Sequence, residues 1–434
     1  MKKRGVNHWV MPVLLVPFLW LSCDTSDSID QPDYFVKYYG VEGDQEGVDI
    51  IVSSDGSYLL FGNSTLPGKD QQLYLVKTDT RGNVLWEKFF GGAYKDQARD
   101  IEMNSDGTLI MAATSESTPG DNNVLLIIVD QEGNKLDSTV YGYPGTDEDV
   151  VSVSQVTNGF IATGSTSNVT QKPTNIFSPV NDQRDAFNFR FFNDLTIYPN
   201  SWNQTLGPGT YDAGTKVIET GQGQFYFFGY TNKRPNGHSS DNFNFWVFAL
   251  DDFGEGSFET GQEIFVGAPI VNERLTSVTK SPLQSGEGYF LAGTVSDNSN
   301  NSKLFIAKLT TSLNFNEPDQ VFQFTPGPLP TSLGTLTDDK TSIFASVFSG
   351  FLILSNENNS GNQNFYLTKA SNTGDVAWSN PGEFTYGGGG MDTMGSVAEL
   401  PDGKIVMVGT FSVGDDLQKK MTLIKVNRDG KFRD

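Results

Sequence analysis

The chain has 434 residues, 37% hydrophobic and 12% aromatic, with 46 glycines and a net charge of −22. That length exceeds one ordinary core, so a single architecture requires internal repeats or a large closed sheet. The acidic balance sets the chain against nucleic acid and anionic lipid headgroups, and a single cysteine excludes an intrachain disulfide framework and a thiolate metal cluster.

At the N-terminus, "MKKRGVNHW" is a basic opening and "VMPVLLVPFLWL" an apolar run too short to span a bilayer. Together they predict a signal peptide over residues 1–22. The run ends in "LWLSC", and Leu21, Ser22 and Cys23 resemble the lipobox of bacterial lipoproteins. The resemblance implies that Cys23 becomes an acylated mature N-terminus, with enough chains for stable anchoring. Removing Lys2, Lys3 and Arg4 with no acid moves the net charge from −22 to −25. Residues 23–33 carry Asp24, Asp27, Asp30 and Asp33 and read as a solvated acidic tether. They resemble the export signals that follow the lipidated cysteine in surface lipoproteins of Bacteroidetes.

The predicted folded domain covers residues 34–434 and opens on an isolated strand, "DYFVKYYG". Hairpin units follow, such as "IIVSSDGSYLLFGNST", "IEMNSDGTLIMAATS", "VSQVTNGFIATGSTS" and "VAELPDGKIVMVGTFS", with degenerate copies between them. Their turn glycines, which accept the positive φ of a tight connection, are Gly56, Gly107, Gly159, Gly223, Gly288, Gly350 and Gly403. The spacings are 51, 52, 64, 65, 62 and 53 residues. Most units add a third strand, a turn and a fourth strand, as in "LYLVKTDTRGNVLWEKFF". Four antiparallel strands at this period predict a β-propeller blade. The seventh unit has three strands and stops within "KFRD". The N-terminal "FVKYYG" matches "WEKFFGG" and supplies its fourth, so the expectation is an all-β, seven-bladed propeller closed by Tyr34 to Tyr39 on the C-terminal third strand. The pattern resembles Bacteroidetes-type lipoproteins with propeller repeats, related to quinoprotein-like and WD-repeat propellers.

Blade-to-blade connections and second-to-third-strand loops share one face; the tight turns lie on the other. The tether enters the start of a fourth strand, so it attaches on the tight-turn side, and the connection face is expected to point away from a membrane. Long loops there hold Phe177, Arg184, Lys233, Arg234 and His238, candidate ligand contacts. Eleven residues before the turn glycines, with a four-residue allowance in the fifth unit, stand Gln45, Asp96, Glu148, Asp212, Glu273, Asp339 and Asp392, with Asp44 and Glu46 flanking Gln45. An acid at the entry to each inner strand can hold the connection by accepting backbone N–H groups, which is the preferred reading. The alternative is an acidic collar around the channel, able to attract Ca²⁺ or a basic partner.

No catalytic constellation is identified and no cofactor or metal site is expected. After signal removal His238 is the sole histidine, and "YGGGGMD" lacks the lysine and helix of a phosphate loop. The expected function is therefore a non-enzymatic, monomeric, lipid-anchored binding module of the outer membrane, exposed at the cell surface, with a protein or glycan ligand and no nucleic acid. A periplasm-facing scaffold in envelope assembly is the first alternative. The second is a carbohydrate-active enzyme, because chance carboxylate pairs among 52 acids leave that chemistry open.

Overall fold

A computed structural model describes residues 33–40, 42–143, 145–167, 184–199, 202, 205–207, 211–221, 223–232, 242–254, 263–267, 272–281, 288–296, 302–309, 322–324, 340–348, 350–359, 361–372, 377–378, 384–414 and 416–433. Residues 1–32, Cys23 among them, lie outside this set. So do Phe177, Lys233, Arg234, His238 and Asp339.

Every regular element among the described residues is a β-strand. The first is Phe35–Tyr39 (β1). Blade 1 comprises Asp44–Val52, Tyr58–Thr65, Gln72–Thr78 and Val84–Phe90 (β2 to β5). Blade 2 comprises Asp96–Met103, Leu109–Thr118, Asp121–Val129 and Lys135–Tyr141 (β6 to β9). Blade 3 is Glu148–Val156, Gly159–Thr166, Asp185–Phe191 and Thr205–Leu206 (β10 to β13); blade 4 is Asp212–Gly221, Gln224–Thr231, Asn244–Asp251 and Glu263–Val266 (β14 to β17). Blade 5 is Asn272–Lys280, Tyr289–Ser296, Ser302–Leu309 and Phe322–Phe324 (β18 to β21); blade 6 is Thr341–Ala345, Phe351–Asn359, Asn362–Ala370 and Thr385–Tyr386 (β22 to β25). Blade 7 takes Thr393–Glu399, Ile405–Val413 and Gln418–Val426 (β26 to β28) and completes its sheet with β1, in the order β1-β28-β27-β26.

Closure is antiparallel and in register, with Phe35 opposite Lys425 and Tyr39 opposite Met421. The second strands are buried on both faces, β11 along its whole length. Each therefore needs an apolar neighbour on either side, and an open row of such sheets would expose its two ends. Seven apolar clusters satisfy this requirement, one at every junction. The junction of blades 7 and 1 joins Tyr39, Val408 and Leu423 to Ile50, Leu60 and Tyr74.

The outer turns link neighbouring blades. In blade 1 the Asp79 carboxylate accepts the N–H groups of Arg81 and Asn83 at 2.9 and 2.8 Å, and Asp130 holds the equivalent turn of blade 2. Gly82 and Gly133 sit at φ 72° and 74°. A β-carbon on Gly82 would come within 2.9 Å of Phe35, and one on Gly133 within 2.8 Å of Trp86. Phe35 thus fills in blade 7 the place Trp86 fills in blade 1. The C-terminal "NRDGK" builds the same turn, with Asn427 Oδ1 accepting from Asp429 and Lys431 and Gly430 closing on Trp378 and Phe384.

Tyr39 is 3% exposed and donates its hydroxyl to Gly82 O at 2.9 Å. Tyr39→Phe is expected to cost about 1 kcal/mol, the value of one hydrogen bond. Tyr39→Ala is expected to cost about 3–5 kcal/mol through the cavity left at the seam. Denaturant unfolding midpoints of the two variants check this ordering.

Candidate binding face and central channel

The acids counted back from the turn glycines lie at the blade connections, and those described are buried: Asp96, Glu148, Asp212 and Asp392 at 0% exposure, Glu273 and Gln45 at 1%. Asp96 Oδ2 accepts Gly92 N at 2.7 Å. Glu148 accepts Tyr143 N and the hydroxyls of Thr146 and Thr166. Asp392 accepts Gly388 N at 2.6 Å and Ser412 N at 2.8 Å. Burial pushes the carboxyls of Asp96, Glu148 and Asp392 upward against these bonds. The oxygens of these three carboxyls accept N–H groups of the blade connections. Strand alternation explains the placement: residue 96 points between blades, and its neighbour points to the channel.

Five of the described connections also use a glycine at the exit of the preceding blade. β-Carbons on Gly91, Gly142, Gly207, Gly267 and Gly387 would lie 2.1, 2.4, 2.4, 2.8 and 2.7 Å from carboxylate oxygens of Asp96, Glu148, Asp212, Glu273 and Asp392. A third partner stands at the start of the third strand. It is an amide in four blades, Gln72, Asn123, Asn244 and Asn364. At the seam the charges are exchanged, and Lys420 Nζ donates to Gln45 Oε1 at 3.0 Å. In blade 3 the amide is replaced by Asp185, so that Asp185 and Asp212 both place an oxygen within 2.7 Å of one point above Gly207.

The channel-facing residue is the one after each acid. Glu46 is engaged by Lys419 at 2.7 Å, and Asp149 by Arg184 at 2.5 Å and Arg99 at 3.8 Å. Arg184 Nε also donates to Ser165 Oγ, so this candidate ligand residue is fixed to blade 3 at the channel mouth.

Deeper in, six inner strands carry a β-bulge, at Gly47/Asp49, Ala98/Asp100, Val150/Ser152, Gly214/Lys216, Leu275/Ser277 and Met394/Ser396. A bulge turns two consecutive side chains to the same side. The residue after it reaches the next blade: Asp49 accepts Ile101 N, Asp100 accepts Val153 N, Ser277 accepts Ile343 N and Ser396 accepts Ile50 N. Ser342 accepts Val397 N, while Ser152 and Thr215 donate to Thr215 O and Leu275 O. These bonds cross every junction of the ring and line a cavity of about 170 Å³ bounded by all seven inner strands.

Lys216 interrupts this hydroxyl-rich row. Its Nζ lies 2.5 Å from Glu102 and 3.4 Å from Asp100 and donates to Val153 O. Burial acts to lower the Lys216 pKa, but the flanking carboxylates outweigh it and hold the ammonium charged. Asp49, facing Asp100, is pushed up to about 8 by burial and then by that neighbouring charge. Sequence reasoning missed this row. Its signal is Asp49, Asp100, Ser152, Lys216 and Ser396, each seven residues before a turn glycine.

On the connection face, blade 1 presents a groove of about 480 Å³ between its Leu66–Asp70 loop and its exit at Gly92 and Ala93. Exposed Phe89 forms one wall, with Lys69, Asp70 and Gln72 around it. The volume is within the range of small-ligand sites.

Two consequences are open to measurement. Asp185→Asn restores the amide used by other blades and is expected to raise stability by about 1 kcal/mol, the scale of one hydrogen bond; an equal loss would place the function of Asp185 elsewhere. Asp49 in the folded chain keeps a proton that the unfolded chain releases near 3.8, so its contribution is lost as pH rises from there to about 8. The melting-temperature advantage of Asp49→Asn over wild type is therefore expected to grow from pH 5 to pH 8.

No protein-family model matches the chain, and no curated protein sequence does. Among solved structures it is similar to a puromycin hydrolase mutant complexed with PGG, with a TM-score of 0.53 and 9% identity over 89% of this chain and 52% of that one. It thus spans about half the length of that hydrolase chain. It is also similar to Sqt1 from Chaetomium thermophilum, with a TM-score of 0.42 and 10% identity over 88% of each chain. The plexin A4 extracellular region matches with a TM-score of 0.46 and 9% identity over 89% of this chain and 40% of that one. At 9% identity the likeness to the hydrolase is one of fold alone.

Proposed function

We propose that the chain is a non-enzymatic, lipid-anchored surface protein that binds a protein or glycan ligand on the connection face of its propeller. The observation that carries this reading is the blade 1 groove, where an exposed aromatic ring stands beside polar and charged side chains on a closed scaffold. Aromatic faces bury large apolar area at little entropic cost, and the polar neighbours fix orientation. The lipobox-like "LWLSC" supports the anchor. Because β1 is entered from the tight-turn side, an anchor at Cys23 leaves the connection face free. The chain acts as a monomer and requires no cofactor.

Two measurements test the reading. Protease shaving of intact cells is expected to remove the protein; protection would instead favour a periplasm-facing scaffold. On glycan and peptide arrays, Phe89→Ala is expected to weaken binding at least about tenfold, as loss of an interface aromatic anchor does. Unchanged binding would move the site away from blade 1.

A further inference from the structure

The tight-turn side carries a feature that folding does not demand. The inner hairpins of blades 1, 2 and 7 turn on polar sequences, Ser54-Asp55-Gly56, Ser105-Asp106-Gly107 and Pro401-Asp402-Gly403. In blade 6 the corresponding tip is Val347-Phe348. On the same side, Phe432 follows the outer turn of blade 7, Leu85 is the second residue of β5 in blade 1 and Leu136 the second of β9 in blade 2. These five side chains are 46 to 58% exposed. Phe348 leans toward the turn of blade 7, 3.3 Å from where a β-carbon on Gly403 would stand.

The charge around them differs from that of the chain as a whole. Arg81, Arg428, Lys431 and Arg433 are exposed at the same turns of a protein whose net charge is −22. Several acids there are engaged locally. Asp79 accepts the backbone N–H groups of its own turn, Asp55 bonds Ser57, and Asp402 pairs with Lys404 at 2.5 Å. The patch therefore offers separate apolar tips with long cationic side chains at the outer turns of blades 1 and 7, beside the exposed acids Glu132 and Asp429. Apolar tips can enter the headgroup–acyl boundary of a bilayer while arginine and lysine reach headgroup phosphates.

The position of β1 identifies what this face meets. Its first residue, Phe35, pairs with Lys425 at the tight-turn end of blade 7, in the middle of the four blades that carry the patch. The residues between Cys23 and Phe35 span at most about 40 Å when extended, so an anchor at Cys23 holds this face within reach of the bilayer. We infer that the tight-turn face of blades 6, 7, 1 and 2 rests directly on a lipid surface rich in zwitterionic headgroups. Phe348, Phe432, Leu85 and Leu136 enter the interface there, and the arginines contact lipid phosphate. This inference rests on the anchored reading given above.

The test uses the full mature chain on vesicles of phosphatidylethanolamine and phosphatidylcholine, with and without brominated acyl chains. A thiol-reactive fluorophore is placed at Phe348→Cys, at Leu85→Cys, or at Thr118→Cys on the connection face as reference. Bromolipid is expected to quench the first two several-fold more than the third, with blue-shifted emission. Equal, weak quenching at all three positions overturns the inference. So does a blue shift that appears without lipid and grows with protein concentration, since the face would then pair with a second copy. The parent chain reports separately on the anchor. Its only thiol is Cys23, so acylation blocks labelling, whereas a labelled parent would refute the anchor and leave the quenching comparison, on added vesicles, to decide the fate of the face.

Discussion

The pairing of β1 with β28 is the constraint on which the rest of the molecule depends. Every sheet buries both faces, so each blade is stable only between two others, and the row of seven must return on itself. The seam is built from the same parts as the other junctions. Phe35 packs on the Gly82 turn as Trp86 packs on the Gly133 turn. Tyr39 enters the shared core, and Lys420 with Gln45 replaces the amide–acid contact seen elsewhere. Closure thus joins residues some 375 positions apart with local interactions already used around the ring.

Much of this fold was legible because two signals repeat. Turn glycines recur once per blade, and the aromatic-x-Lys-aromatic-aromatic pattern marks the outer strand both at "WEKFF" and at "FVKYY". The same repetition exposed a row of acids without telling which way they point. In a strand, adjacent residues face opposite sides. A one-residue offset therefore separates Asp96 and Glu148, buried in the connections, from Gln97 and Asp149 at the channel mouth. What would have decided the matter is the companion glycine, five residues before Asp96, Asp212 and Asp392 and six before Glu148 and Glu273. At the seam Gly40 stands five residues before Gln45 and closes on its amide in the same way.

The channel was illegible for a related reason. The bulge in the inner strands breaks period-two alternation where the functional side chains lie, so that Arg99 and Asp100, or Thr215 and Lys216, both face inward. A strictly alternating reading assigns one of each pair to the core. The bulge also lets the ring be tied from within, because the residue after it is aimed at the backbone of the neighbouring blade. Serine is sufficient for that bond, as Ser277, Ser342 and Ser396 show. Asp49, which keeps its proton, and Asp100 do the same task with carboxyl groups, and Lys216 stands opposite Asp100 and Glu102. Blades 2 and 4 are thus joined across the channel by ion pairs.

The two faces are free to differ because their structural requirements differ. A connection between blades carries a buried carboxyl, a glycine it closes on and a polar partner from the third strand, so little of its sequence can change without exposing a buried charge. The loop from second to third strand carries no comparable requirement, and in blade 1 it forms a wall of the groove beside Phe89. On the opposite side the inner tips of blades 1, 2 and 7 are held by Asp55, Asp106 and Asp402 accepting backbone N–H groups, and that of blade 6 by Ser346 and Glu399. Asp-Gly at three inner tips and Val-Phe at a fourth fold into the same hairpin. The tip residue therefore reports on what the face meets, since the hairpin forms with either.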